Sequence, residues 1–191
     1  MYEVRLHGRG GQGAVTSAEI LSEAAISEGK YAQAFPSFGP ERRGAPVQAF
    51  IRISANQPIR NRSSITEPDV VVVQDPGLLR VVNVASGLKP GGVVIINTTK
   101  TAAQIREEFK ITARIATIGA AKIAMETLGV NIVNTTMIGA IMKVAEPVKM
   151  ESLIHPIMTR FGKNGEKNVA AMKRAYTETV IEELSVGKSS R

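Results

Sequence analysis

The 191-residue chain predicts an α/β fold: a layered, mostly parallel sheet with helices on both faces and a helical C-terminal part. Three observations predict it. Near the N-terminus, a polar–apolar alternation runs through a glycine-rich turn into a segment of helical period. Two uninterrupted apolar runs of strand length, Val70–Val73 and Val93–Ile96, have the pattern of strands buried on both faces. From Gly119 onward the helical period dominates. No linker divides the chain, which reads as one domain over residues 1–191.

The elements follow in order. Tyr2–His7 alternates as a strand does, and Val15, Ala18, Leu21, Ala25 and Ile26 recur at helical spacing up to Gly29. Tyr31–Phe35 reads as the second strand and Val47–Ile53 as the third, with Ile59-Arg60 as a short excursion from it. Three prolines and two glycines make Phe35–Pro46 a long loop. The fourth strand, Pro68–Gln74, ends in Asp75-Pro76-Gly77, which starts a helix through Leu78 to about Val84. Lys89–Gly92 turns the chain into a strand at Val93–Asn97, and Thr98-Thr99 caps a helix over Thr101–Phe109. Ile111–Ile118 supplies a sixth strand, ending at Gly119. Helices are expected at Gly119–Leu128, Asn134–Ala145, Met150–Phe161 and Glu166–Leu184, with a polar tail after them. Met125, Met137, Met142, Met158 and Met172 on these helices are expected to fill the core.

The turn Gly8-Arg9-Gly10-Gly11-Gln12-Gly13 is the main candidate site. Its four glycines allow positive φ and a close approach of backbone to another molecule. The N–H groups that open the following helix lack intrahelical acceptors, and the helix dipole favours an anion there. Gly8-x-Gly10-x-x-Gly13 also fits the dinucleotide fingerprint, but an NAD site wants an acid at the end of the second strand. That strand runs into Pro36 with none; Glu28 lies too early and Glu41 beyond the loop. Tight strand–helix packing without a ligand is the other use of such glycines. In the loop, Ser37, Glu41, Arg42 and Arg43 are candidate interface or loop-ordering residues, since guanidinium groups fork onto carboxylates or phosphates. A solvated basic surface is the alternative.

Composition narrows the chemistry. A net charge of +7 suits a partner bearing phosphates or carboxylates, or an acidic protein surface. Aromatic residues are only 4% of the chain and no nucleic-acid motif is present, which argues against a nucleic-acid module. Without cysteine the chain forms no disulfide and supplies no thiolate to an iron–sulfur cluster. Its two histidines, His7 and His155, are too few for a zinc site, so no metal site is expected. His7 ends the first strand as a local hydrogen-bonding residue or a ligand contact; His155 reads as structural. No Ser, Thr or His arrangement suggests a nucleophile or general base, and no catalytic residue is assigned. No signal segment opens the chain and no apolar run nears the ~18 residues of a membrane span. A cytoplasmic protein without a membrane segment is expected.

Two loops in order carry a resemblance. The first is G-x-G-G-Q-G, at Gly8, Gly10, Gly11, Gln12 and Gly13. The second is S-[YF]-G-x-E-x-R-G-[GA], at Ser37, Phe38, Gly39, Glu41, Arg43, Gly44 and Ala45. An apolar strand ending in Asp75, the turn Lys89–Gly92 and the helix start Asn134…Gly139-Ala140 follow. Over nearly its whole length the chain resembles the gamma subunits of 2-oxoacid:ferredoxin oxidoreductases, the pyruvate (pyruvate synthase) branch most closely. Ala45 stands where glycine is usual.

The resemblance implies a subunit without catalytic groups of its own, in a complex that decarboxylates pyruvate oxidatively to acetyl-CoA and passes electrons to ferredoxin. It implies alpha, beta and delta partner subunits that hold thiamine diphosphate, Mg²⁺ and the iron–sulfur clusters. It places this chain on the coenzyme A side of the reaction, with the Gly8–Gly13 turn as the candidate contact. The chain's lack of cysteine and of a Gly-Asp-Gly segment agrees with that division. The competing reading is a free-standing NAD(P)-dependent Rossmann oxidoreductase.

Overall fold

The computed structural model describes residues 1–37 and 44–182. Glu41, Arg42 and Arg43, and the polar tail, lie outside the described residues. One seven-stranded sheet runs through the molecule in the order β2-β3-β1-β4-β5-β6-β7. The strands are β1 (Tyr2–Arg9), β2 (Tyr31–Pro36), β3 (Pro46–Ser54), β4 (Val70–Val73), β5 (Val93–Asn97), β6 (Arg114–Ile118) and β7 (Val180–Glu182). β1, β4, β5 and β6 pair in parallel, while β3 pairs antiparallel with both β1 and β2, and β7 antiparallel with β6. Five strands therefore point one way, and β3 and β7 oppose them. The expected mostly parallel α/β sheet is what forms.

The helices are α1 (Ala14–Ser27), α2 (Ala102–Phe109), α3 (Ala120–Leu128), α4 (Asn134–Ala145), α5 (Ile154–Phe161) and α6 (Gly165–Glu178). Strand residues alternate between two layers. Val4, Leu6, Ile51, Val72 and Ile95 join the apolar core under α1, α3, α4 and α6. Within that layer α4 is buried from Asn134 through Met142, because the sheet covers one side and α6 the other. Gly139 permits the approach of α6: a Cβ there would overlap the Met172 carbonyl oxygen.

The opposite face has α2 over β5 and β6, and irregular chain over β3, β1 and β4. Val71, Val73, Val94, Ile96 and Ile115 pack beneath α2 and residues 78–88. Toward β3 the covering segments carry backbone carbonyls that need donors, and two strand arginines supply them. Arg5, 7% exposed, donates through its Nη atoms to the carbonyls of Ile65, Thr66, Val84 and Ser86. Arg52, 2% exposed, donates to those of Asn61 and Ser63, and its Nε to Glu3 at 2.9 Å. Lys89 closes the network onto Glu3 and Asp69.

Several expectations are corrected. The helix expected after Asp75 is only a 3-10 turn, Pro76–Arg80. The next residues are β-branched or lie near Gly87, and the Val84 and Ser86 carbonyls face Arg5 instead of a helical amide. No strand forms at Ile59-Arg60, and the coil just beyond is held by Arg52 at the Asn61 and Ser63 carbonyls. The cap of α2 is Thr101, in a reciprocal capping box with Gln104, not Thr98-Thr99. The expected last helix stops at Glu178, and the β-branched Thr179-Val180-Ile181 stretch leads into β7 beside β6. Of the five methionines, Met137, Met142 and Met172 are buried, but Met125 and Met158 are exposed. His155 is exposed on α5.

Candidate functional site

From β1 the chain proceeds to β2 and β3 on one side of the sheet; from β4 it proceeds to β5 and β6 on the other. A crevice outside the carboxyl ends of β1 and β4 follows from that reversal, and it is where open α/β sheets receive ligands. The glycine turn sits there. Gly8 is still in β1, opposite Val47, so the turn proper starts later than the sequence suggests. Gly11 and Gly13 hold φ of +95° and +80°, whereas Gly10 is not in the positive-φ region.

The glycines divide their work. A Cβ on Gly8 would lie 2.7 Å from Gln74 Oε1, and one on Gly13 2.9 Å from Asn134 Nδ2, so both serve close packing. A Cβ on Gly11 would meet no atom within 4 Å. Gly11 is exposed, and its backbone is open to a docking group. Gly13 is the N-cap of α1 and no side chain caps that helix, whose first internal bond is Ser17 N–H to the Gly13 carbonyl. The amides of the first turn point out of the helix end, as an anion site requires.

The polar side chains fix the turn. The Arg9 amide donates to Gln12 Oε1 at 2.7 Å, and Arg9 Nε donates to Asp75 Oδ2 at 2.6 Å. Gln12 Nε2 reaches the same carboxylate oxygen at 3.3 Å. Asp75 Oδ1 accepts from the Gly77 amide. Gly10 N–H donates to the Ala45 carbonyl, Gly44 N–H to that of Gly10, and Arg9 Nη1 to that of Gly44. The two ends of the long loop that are described, Ser37 and Gly44, are thus anchored: Ser37 N–H continues the β2–β3 pairing onto Gln48. The charge of Arg9, a member of the candidate turn, is matched internally by Asp75.

A cavity of about 400 Å³ adjoins the turn, lined by Gln12, Gln74, Asp75, Asn97, Thr98, Thr99, Gly119 and Lys122 among others. Asn97, at the end of β5, donates to the Gln74 carbonyl and accepts from the Ala121 amide at the start of α3. The sequence reading assigned no site role to Gln74 or Asn97, and took Asp75 only as the residue that ends an apolar strand. The signal was there: each is a polar residue at or just beyond the carboxyl end of a doubly buried strand, where parallel sheets place site residues.

His7 is not at the crevice. It is 3% exposed in the face that holds Arg5, and Arg5 Nε donates to its Nε2 at 3.1 Å, which leaves the ring proton on Nδ1. Burial, then the Arg5 charge, lower its pKa from 6.5 to about 4. Among the described residues no three His, Cys, Asp or Glu side chains cluster to hold a metal ion. No helix of the described chain is long and apolar enough to cross a membrane.

Residues 3–178 match the family model described as pyruvate ferredoxin/flavodoxin oxidoreductase. The chain belongs to that family. Among relatives of this pyruvate ferredoxin/flavodoxin oxidoreductase chain is the pyruvate/ketoisovalerate oxidoreductases common subunit gamma of Thermococcus litoralis. The two are 54% identical over 186 residues, which cover 96% of this chain and 100% of the relative. The crystal structure of pyruvate oxidoreductase subunit PORC from Thermotoga maritima superposes with a TM-score of 0.85 at 36% identity, covering 95% of this chain and 98% of that one. A 2-oxoglutarate:ferredoxin oxidoreductase from Magnetococcus marinus, solved with 2-oxoglutarate, coenzyme A and succinyl-CoA bound, shares the fold. There the TM-score is 0.71 at 20% identity, over 92% of this chain and 30% of that chain.

Proposed function

We propose that this chain is the gamma subunit of a cytoplasmic pyruvate:ferredoxin oxidoreductase and that its glycine turn seats an anionic part of coenzyme A. It acts with alpha, beta and delta subunits, which hold thiamine diphosphate, Mg²⁺ and the iron–sulfur clusters. Together they convert pyruvate to acetyl-CoA with ferredoxin as electron acceptor. The observation that carries the coenzyme A assignment is the open backbone at Gly11 beside an uncapped helix start in the strand-reversal crevice. A diphosphate fits such a cradle, where amides supply the hydrogen bonds and the helix end the partial positive charge.

The NAD(P) alternative loses ground. β2 ends at Pro36 without an acid, and β3 separates it from β1, so the end of the second strand does not bring a ribose-binding carboxylate to the turn. The name of the Thermococcus relative, a subunit common to pyruvate and ketoisovalerate oxidoreductases, supports placing the choice of 2-oxoacid on the partner chains.

Reconstitution tests the reading. The partner subunits with and without this chain are assayed for ferredoxin reduction and acetyl-CoA formation from pyruvate, beside the chain alone. The chain alone should be inactive and colourless, and leaving it out should abolish acetyl-CoA formation. Turnover of pyruvate by the isolated chain, or full activity without it, would contradict the proposal.

A further inference from the structure

Arg9 and Gln12 stand in the glycine turn, and Asp75 caps the 3-10 turn that follows β4, 66 and 63 residues away. They nevertheless form a closed ring: the Arg9 amide to Gln12 Oε1, Arg9 Nε to Asp75 Oδ2, Gln12 Nε2 to Asp75 Oδ2. The carboxylate is partly buried, with 21% of its side chain exposed, and its second oxygen is tied to the Gly77 amide. It therefore cannot swing away without losing three donors. Through Arg9 Nη1 the ring also grips the Gly44 carbonyl, next to the amide that donates to Gly10.

This arrangement has an electrostatic side. A bare carboxylate beside a phosphate-binding turn would repel the ligand, and a bare guanidinium would compete with the backbone for it. Joined at 2.6 Å they form a neutral pair, and the attraction left at the turn is that of oriented amides. Such amides select for shape as well as charge, provided they are held still.

We propose that Asp75 is the positioning residue of the turn: it locks Arg9 and Gln12, and through Arg9 the Gly44 carbonyl, so that the amides from Gly11 to the start of α1 keep one geometry. The proposal rests on the coenzyme A reading for its consequence in activity, but not for its consequence in structure. Asp75 touches no reacting group and transfers no proton.

The experiment uses the assembled complex carrying Asp75→Asn, with Gly11→Ala in parallel. Asn keeps an acceptor for Gly77 but removes the charge that holds Arg9. Two quantities are read: amide hydrogen exchange in peptides covering residues 8–13, and the ratio of KM for coenzyme A to KM for pyruvate. Faster exchange at the turn, with that ratio raised about tenfold, is expected. A lower melting temperature with exchange at residues 8–13 and the KM ratio both unchanged would make Asp75 an ordinary stability residue and overturn the proposal. A raised ratio in Gly11→Ala alone would overturn it too, while leaving coenzyme A at the turn. Faster exchange with no change of ratio in either variant would uphold the positioning role and remove coenzyme A from this site. Where Asp75→Asn does not assemble, Arg9→Gln cuts the same link from its other side and is read by the same two measurements.

Discussion

Arg5 and Leu6 are neighbours on β1, yet Leu6 meets the apolar side chains under α1 and α4 while Arg5 meets carbonyl oxygens of irregular chain. The helical face is specified by volume: Leu6, Ile51, Ile95 and Met137 are fully buried, and Gly139 is small because α6 lies on it. The coil face over β3, β1 and β4 is specified by donors, with Arg5 and Arg52 together meeting six carbonyls. The difference teaches how a layer without a helix closes a sheet: buried guanidinium groups supply the hydrogen bonds that a helix would have made internally. The glycine turn is where the two layers meet. Gly13 packs on Asn134 at the start of α4, and Arg9 on Asp75 at the start of the coil layer.

The sharpest way to break the comparison is to swap the kind of damage. On the helical face, Gly139→Val drives a branched side chain into the Met172 carbonyl. A loss of ~4 kcal/mol or more is expected, spread over one cooperative transition because the helices share one core. Differential scanning calorimetry reads it. On the coil face, Arg5→Met keeps the volume but leaves four carbonyls without their donor, of which water can reach the outer ones. About 3 kcal/mol should be lost. Here the damage should be local, with faster hydrogen exchange around residues 65–66 and 84–86 and little change in α4.

The third effect is a pH dependence confined to the coil face. His7 titrates near 4 in the folded chain and near 6.5 when unfolded, so the unfolded state takes up the proton first as pH falls. Stability should be unaffected by this group above about 6.5, decline between 6.5 and about 4, and decline no further below that. The total is on the order of 3 kcal/mol. Urea midpoints measured across pH 4–7 should flatten in His7→Gln, which keeps an acceptor for Arg5 but does not titrate. A wild-type curve without this slope would show that His7 is not held neutral by burial.

These contrasts explain what could be read from the chain beforehand. α4 was legible to the residue, since Asn134–Ala145 is apolar or small apart from Lys143 and ends before Pro147. β4 and β5 were legible within a residue or two, because doubly buried strands are continuous apolar runs. The coil layer was not. Leu78–Val84 has enough apolar residues to suggest a helix, and what prevents one includes an arginine 79 residues earlier in the chain. The end of α6 failed for a similar reason: Val180–Glu182 becomes a strand only because β6 offers an edge. At the site, the six residues Gly8–Gly13 were recognisable as a unit, but their division was not. That Gly8 and Gly13 serve packing, that Gly11 faces outward and that Arg9 is matched by Asp75 all depend on contacts between residues far apart in the chain.

The smallest expected change in stability belongs to the measurement that bears most directly on the central claim, the seat for coenzyme A. Gly11 and Gly29 lie at the two ends of the α1 region with φ of +95° and +78°, and a Cβ on either would meet no atom of this chain within 4 Å. Gly11→Ala and Gly29→Ala should therefore each cost about 1 kcal/mol of backbone strain. They should differ only toward whatever docks on the turn. In the assembled enzyme, Gly11→Ala should raise KM for coenzyme A about tenfold, the equivalent of one lost backbone contact, and Gly29→Ala should leave it unchanged. Equal KM values for coenzyme A in the two variants, at equal stability, would contradict the account and leave the turn as packing alone.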